Sequence, residues 1–340
     1  MKRSALFVLF ILSSFVSFSQ NQDTVYMYNN QVLIGEIKEL ENGVLKIETE
    51  YSEDDFSVDW DDVKSLKTNT SFIIMLSHNY RFTGTISPDP NNSDYLVLYP
   101  QEGSKMFAKT VEIVYLKSLE DAFLDRISAN IDAGLSITKA SDTKQLNVSG
   151  GISYLDTKLQ ADIYVNTLSN VVQDTIITER DNYGSSLKVF FARKWYILGA
   201  ADFLKSDEQN LDIRTTIQTG IGRDIIRNNK MYLVAATGIA LNAEKYSHED
   251  DASGESIETF GEIEFKAFGI QDFTLSSKVQ YFTILANRNR QRINVVFDIK
   301  YDLPLDFYIG GNITYNLDSN DETTGSPSDY VIKSSVGWKF

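Results

Sequence analysis

The chain has 340 residues, a formal net charge of −15, no cysteine and two histidines. The length leaves room for more than one domain. The missing cysteine excludes disulfide staples, thiol catalysis and a lipid-modified N-terminal cysteine, and an acidic chain without a basic stripe is a poor partner for nucleic acid.

Five prolines, 18 tyrosines and 20 phenylalanines make a composition that suits strands rather than helices. In chain order, the first feature is the apolar run "ALFVLFILSSFVSF" at residues 5–18. It follows Lys2 and Arg3 and ends in Ser17, Phe18 and Ser19, so residues 1–19 read as a cleaved secretory signal. No later run is long and apolar enough for a membrane helix.

Next comes a duplicated pattern. "QVLIGEI" (31–37), "GVLKIET" (43–49) and "WDDVKSL" (60–66) are echoed by "YRFTGTI" (80–86), "DYLVLYP" (94–100) and "TVEIVYL" (110–116). Gly35 corresponds to Gly84, Ile37 to Ile86, Val63 to Ile113 and Leu66 to Leu116. Short alternating segments broken by Asn29-Asn30, Asn42-Gly43 and Pro88-Asp89-Pro90 predict strands joined by turns. A glycine inside a strand marks a bend or a close backbone approach. Residues 20–70 and 71–120 are therefore expected to form two small β-barrel modules, similar to the Sm-like fold. The acidic stretch "YSEDDFSVDWDD" (51–62) invites a calcium reading. Its alternation sets Phe56, Val58 and Trp60 on one face and Ser57, Asp59 and Asp61 on the other, which reads as a solvated face, and no metal site is assigned.

From Ile127 onward the period-2 pattern persists to the last residue. Segments near 127–139, 144–155, 158–168, 182–193, 195–205, 210–222, 230–243, 256–268, 273–285, 290–301, 305–317 and 329–340 are each long enough to cross a bilayer as a tilted strand, which takes about 9–11 residues. Connections after odd-numbered segments are long and polar, as in "VVQDTIITERD", "KYSHEDDASGES" and "DSNDETTGSPSD". Those after even-numbered segments are short, as in "DT", "K", "DIIRNN", "GIQD" and "DLPL". Outer-membrane barrels show this asymmetry, with short periplasmic turns. The expected fold is all-β: about twelve antiparallel strands in a transmembrane barrel over residues 121–340, preceded by the two modules on the periplasmic side.

Alternation does not by itself distinguish a membrane barrel from a soluble one whose apolar face turns inward. Segment length, mixed charges on the polar faces and the aromatic last residue favour the membrane form. The lumen side would then carry Asp132, Asp162, Lys188, Arg214, Glu262, Glu264, Lys266, Lys278, Asp298, Lys300, Lys333 and Lys339. A lysine facing lipid at the midplane would cost about 2–4 kcal/mol, so each faces inward or lies near an interface. Girdle aromatics are expected at Tyr154, Tyr183, Trp195, Phe203, Tyr301, Phe307, Tyr315, Tyr330, Trp338 and Phe340.

A serine nucleophile needs a base beside it. The two histidines, His78 and His248, fall in a module and in a loop. No catalytic residue, metal ligand or cofactor site is assigned, and the expected protein is not an enzyme. His248 sits in "KYSHEDDASGE", which reads as a solvated acidic loop.

The twelve predicted strands, the "WDDVKSL"-type repeats and the closing "SSVGWKF" together resemble the YdiY-like salt-induced outer-membrane proteins, a domain family of unknown function. The resemblance covers mainly residues 120–340 and implies an outer-membrane barrel with no assigned activity and no catalytic residues to transfer. Val336, Trp338 and Phe340 resemble the terminal signal read by the outer-membrane assembly machinery. The expected partners are outer-membrane lipid, that machinery, and a periplasmic protein or cell-wall partner for the modules. Two roles follow: a narrow pore or envelope-structural barrel, or a scaffold whose modules capture an envelope partner.

Overall fold

The structure, a computed structural model, describes residues 22–119, 126–138, 143–172, 175–207, 211–247, 254–270, 272–285, 290–319 and 328–339. The expected leader, His248 with Glu249, Asp250 and Asp251, Phe340 and the side chain of Lys339 lie outside the described residues.

The N-terminal domain holds ten strands: β1 (Asp23–Met27), β2 (Val32–Glu41), β3 (Val44–Glu48), β4 (Phe56–Asp59), β5 (Val63–Lys67), β6 (Phe72–Leu76), β7 (Arg81–Pro88), β8 (Tyr95–Pro100), β9 (Met106–Lys109) and β10 (Ile113–Ser118). The duplication in sequence is a duplication in space. In each copy the last strand returns to the first, β5 to β1 and β10 to β6, after a 3-10 turn at Trp60–Asp62 or Thr110–Glu112. A Cβ on Gly35 would collide with the backbone oxygen of Glu48, and one on Gly84 with that of Tyr99, so glycine is required where the neighbouring strand crosses closest. Ile37 and Ile86, and Leu66 and Leu116, are buried equivalents. Burying each such side chain contributes about 1.5–3 kcal/mol.

The copies are interlocked. Strand β2 pairs with β10 through Leu40↔Leu116 and Glu39↔Lys117, and Lys117 Nζ lies 2.7 Å from Glu39. Trp60 Nε1 donates to the carbonyl of Thr110 at 3.1 Å, and Thr110 Oγ1 donates to that of Lys64 at 2.8 Å. The result is one ten-stranded sheet with a single hydrophobic cluster running from Val25 to Leu116. Asp23 is buried at the entrance to this core, where its carboxylate accepts from the backbone N–H groups of Ile37 (3.0 Å) and Asn69 (2.8 Å).

The remaining strands are β11 (Ile127–Thr138), β12 (Thr143–Leu155), β13 (Leu159–Val172), β14 (Thr175–Ala192), β15 (Trp195–Ser206), β16 (Leu211–Arg227), β17 (Met231–Tyr246), β18 (Gly254–Ile270), β19 (Phe273–Ile284), β20 (Gln291–Asp302), β21 (Phe307–Asp318) and β22 (Ser328–Lys339). They form a closed antiparallel barrel of twelve strands in sequence order. Closure runs from Asn130↔Lys339 to Ala133↔Val336, which removes both sheet edges.

Two expected loops are strand. Residues 175–181, read as part of a long polar loop, belong to β14 and pair onward as Ser169↔Glu179 and Asn170↔Thr178. Residues 224–227, read as a turn, continue β16, with Ile226↔Leu233 and Arg227↔Tyr232. The 18 residues of β14 and 17 of β16 exceed the about 9–11 that a bilayer needs. Beyond the apolar slab both faces of a ladder can be polar, so hydrophobic alternation stops before hydrogen bonding does. Lys205 and Glu179 pair at 2.6 Å across this extension.

The outward face is apolar. Ile131, Ile152, Ile163, Ile197, Ile217 and Ile332 are each half or more exposed, an arrangement that places the band in lipid. Aromatics cluster at the end with the short turns, where Phe273 and Tyr301 lie 4.8 Å apart and Phe307 and Trp338 6.4 Å apart. A second level comprises the cross-strand pairs Tyr183↔Phe203 and Tyr315↔Tyr330. All four pairs are amphipathic or aromatic rings suited to an interface.

The N-terminal domain sits across the short-turn mouth. Asn229 Nδ2 donates to the carbonyls of Val111 (3.1 Å) and Ile113 (2.9 Å). Lys230 pairs with Asp61 at 2.8 Å, and Lys46 with Asp306 at 3.1 Å. The acidic stretch around Asp61 therefore serves as a contact with the barrel, while Asp59 caps the 3-10 turn by accepting from the Asp61 N–H at 3.0 Å.

Candidate functional site

The site is the barrel interior. Because side chains alternate along every strand, each inward position is fixed by the outward apolar one beside it. Among the described residues the inward faces divide into two halves of opposite character.

One half is filled. Tyr196 and Leu198 of β15, Ala236 and Ala240 of β17, Phe260 of β18 and Phe282 of β19 form a buried apolar cluster inside the barrel. Phe190 of β14 packs on it, edge to face with Tyr196 at 5.8 Å between ring centres. Beside the cluster, with Phe282 in its wall, is an open cavity of about 520 Å³ lined mainly by polar residues, among them Asn130, Asn166, Asn182, Asp298, Asn312 and Lys333.

Of the twelve charges expected on the lumen side, the side chain of Lys339 lies outside the described residues and the other eleven are placed as follows. Asp132 is buried and accepts from Asn130 at 3.0 Å. Asp162 accepts from Ser153 (2.6 Å), Ser186 (3.1 Å) and Gln160 (3.2 Å). Lys188 meets Glu264 at 3.6 Å across the interior, and Glu264 also accepts from the Tyr232 hydroxyl at 2.6 Å. Glu262 pairs with Lys278 at 3.2 Å and accepts from Gln280 at 2.8 Å. Asp298 accepts from Asn312 at 2.7 Å and from Ser276 at 3.4 Å. Lys300 lies 4.0 Å over the Tyr308 ring. Lys333 lines the open cavity, and Lys266 lines the short-turn mouth. Arg214 joins a network at the opposite end.

That network is the feature sequence reasoning missed. Arg214 of β16 contacts Glu244 of β17 at 2.7 Å and Asp318 of β21 at 3.3 Å. Arg290, just before β20, contacts the same two carboxylates at 2.9 and 2.6 Å. Arg292 pairs with Glu258 beside them and stacks over Phe282 at 4.8 Å. β16 and β21 stand five strands apart in the ring of twelve, so the Arg214–Asp318 ion pair joins nearly opposite walls at the long-loop end. Glu244 and Asp318 lie one residue beyond the segments expected from sequence. Extending the same inward parity past the last apolar outward residue would have found both.

At the short-turn mouth the domain reaches in with the turn between β6 and β7. Arg81 lies 3.4 Å over the Phe190 ring, and Arg193 lies 5.7 Å over Tyr80. Between domain and barrel is a second cavity of about 270 Å³. Burial, with Arg227 close by, pulls the Arg81 guanidinium down to about 9. Burial also pushes the Tyr115 hydroxyl up, reinforced by Glu41 and Glu39. Among the described residues no group of three or more histidine, aspartate or glutamate side chains is placed to hold a metal ion.

No curated protein matches the chain. Among solved structures, the barrel is similar to the NanC porin, with 10% identity and a TM-score of 0.41 over 63% of this chain and 100% of that one. It is also similar to the KdgM porin, with 7% identity and a TM-score of 0.34 over 63% of this chain and 99% of that one. Residues 131–340 match the sequence profile of the family described as protein of unknown function DUF481, and the chain belongs to that family.

Proposed function

We propose that the chain is a non-enzymatic outer-membrane protein that forms a narrow pore for small polar solutes, with its N-terminal domain closing the periplasmic mouth. The observation that carries this reading is the polar cavity of about 520 Å³ inside a barrel whose exterior is apolar. A purely structural barrel gains nothing from an unfilled polar interior, whereas a conduit needs one. Ion pairs cross the lumen at one end and a folded domain covers the other, which supports a closed resting state. Short turns belong to the periplasmic side of such barrels, which supports a periplasmic position for the domain that sits on them.

Planar-bilayer recording tests the reading. The full chain should be silent or open briefly, and a chain lacking residues 22–119 should give discrete conductance steps. Absence of steps from both would remove the pore.

A second reading, in which the domain captures an envelope partner, is favoured by one observation. Among the described residues the ten-stranded sheet ends at β4, β5 and β9, each laddered to one strand, and β4 and β9 carry the exposed Phe56 and Phe107. Open edges accept an added strand from a protein partner. A photo-crosslinking residue at 107 in the full chain should label one envelope protein reproducibly if this role operates. Labelling that varies between preparations would count against it.

A further inference from the structure

The cavity between the N-terminal domain and the barrel mouth is charged unlike the rest of the molecule. Six basic side chains line it against three carboxylates, in a chain whose formal net charge is −15. Four of the bases are in ion pairs, Lys117 with Glu39 at 2.7 Å, Lys188 with Glu264 at 3.6 Å, Arg126 with Asp156 at 3.2 Å and Arg227 with Asp224 at 2.8 Å.

Arg81 is not. It forms no ion pair among the described residues, and its guanidinium lies over the face of Phe190. The side chain is largely buried, and its Nη1 has no exposed surface and no hydrogen-bond partner. Arg227 stands beside it with Nε likewise buried and unpartnered, although its Nη2 donates to Asp224 at 2.8 Å. An orphaned buried donor is costly, and more so on a charged group. Arginine does not escape that cost by losing its proton, since it stays charged in proteins. Burial and Arg227 lower the Arg81 proton affinity more than Asp224 and Tyr115 raise it, so the charges near it within the chain offset its burial only in part.

We propose that this junction is a binding site for a small oxyanion, a phosphate or carboxylate group, held by the guanidinium groups of Arg81 and Arg227. Planar guanidinium forks match the oxygen spacing of both groups. A volume of about 270 Å³ takes such an anion and several waters, each about 30 Å³. One ligand then bridges the two bodies, because Arg81 opens β7 of the domain and Arg227 ends β16 of the barrel. Bound anion holds the domain on the mouth, and its loss leaves Arg81 beside Arg227 with Asp224 as the carboxylate between their charges. Through Phe190, which touches both Arg81 and Tyr196, the site also reaches the apolar filling of the lumen. The consequence for closure rests on the pore reading; the binding site does not.

Calorimetric titration of the full chain, folded in detergent at constant ionic strength, tests the site with inorganic phosphate in one arm and succinate in the other. At least one arm should give saturable binding, and the stronger arm identifies the oxyanion. Affinity should fall at least tenfold in Arg81→Gln and in Arg227→Gln and stay unchanged in the surface variant Lys105→Gln. If either arginine variant fails to give a heat-modifiable barrel, hydrogen exchange of residues 77–82 in the unaltered chain replaces it, and exchange should slow with the binding anion. No saturable heat from either anion, equal affinity in Arg81→Gln, or unchanged exchange would overturn the proposal. Failure of the pore reading would show instead as missing conductance with anion binding intact.

Discussion

The ring of Tyr196 lies against the backbone of Gly222, its direct cross-strand partner on the inner wall. Two more inward tyrosines face glycine in the same way, Tyr164 across from Gly184 and Tyr308 across from Gly337. The missing side chain on one strand makes room for a ring laid flat by the next, so the interior is filled without forcing the walls apart. At Gly222 the arrangement matters most, because Tyr196 is fully buried and anchors the cluster that contacts Phe190.

Gly222→Leu should therefore expel the Tyr196 ring. Overpacking of this kind costs about 1–3 kcal/mol, and the displaced ring also loses its packing on Leu198. The check is urea titration of the folded barrel, read by heat-modifiable gel migration. The midpoint should fall, and it should recover in the double variant with Tyr196→Ala, where the clash is gone.

At the long-loop end, Glu244 holds both Arg214 and Arg290. Glu244→Ala leaves two guanidinium groups to share Asp318, and breaking a buried pair costs about 3–5 kcal/mol. The barrel ladder is untouched by the change, so the expected effect is on closure rather than assembly. Single-channel recording should show longer openings than the unaltered chain, with normal heat-modifiable migration. Unchanged gating would mean that the latch does not limit passage.

On the opposite mouth, magnitudes decide which contact matters. Lys230 and Asp61 are more than half exposed, and exposed pairs are screened and weak. Asn229 is buried and donates two hydrogen bonds to backbone carbonyls of the domain. Losing both should cost about 1–3 kcal/mol. Asn229→Ala should raise protease cleavage within residues 77–80 severalfold, and Lys230→Ala should leave it nearly unchanged. The reverse order would show that charge rather than backbone hydrogen bonding holds the domain.

How much of this was legible in the sequence differs by type of contact. The twelve barrel strands were legible because alternation with a lipid-facing partner is local: Ile131 beside Asp132, or Ile332 beside Lys333, states two orientations at once. The strand ends at residues 175–181 were not, because outside the bilayer the ladder persists while its hydrophobic signal stops. The equivalence of Gly35 and Gly84 was visible as a repeat. The β2–β10 pairing that joins the copies was not, because it binds residues 39–40 to residues 116–117 and neither copy encodes it alone. The same reason hid the ion pairs between Arg214 and Asp318. Parity says that each points inward, and only closure of the barrel brings them together.

Closure itself depends on the final strand. Trp338 pairs through its backbone with Ile131 and with Phe307, and its ring stacks 6.4 Å from that of Phe307 at the short-turn rim. Val336 pairs with Ala133 on one side and Ile309 on the other, more than half exposed on the lipid face. A barrel that fails at this seam leaves two hydrogen-bonding edges in the membrane, each unsatisfied group costing several kcal/mol, so the last strand has to pair in register. Deleting Phe340, or adding a polar tag after it, should lower the heat-modifiable fraction in outer-membrane preparations, while Trp338→Phe, which keeps an aromatic at the rim, should assemble nearly as well as the unaltered chain. Equal assembly of all three would mean that register is set by the β11–β22 pairing alone, with no contribution from the terminal residue.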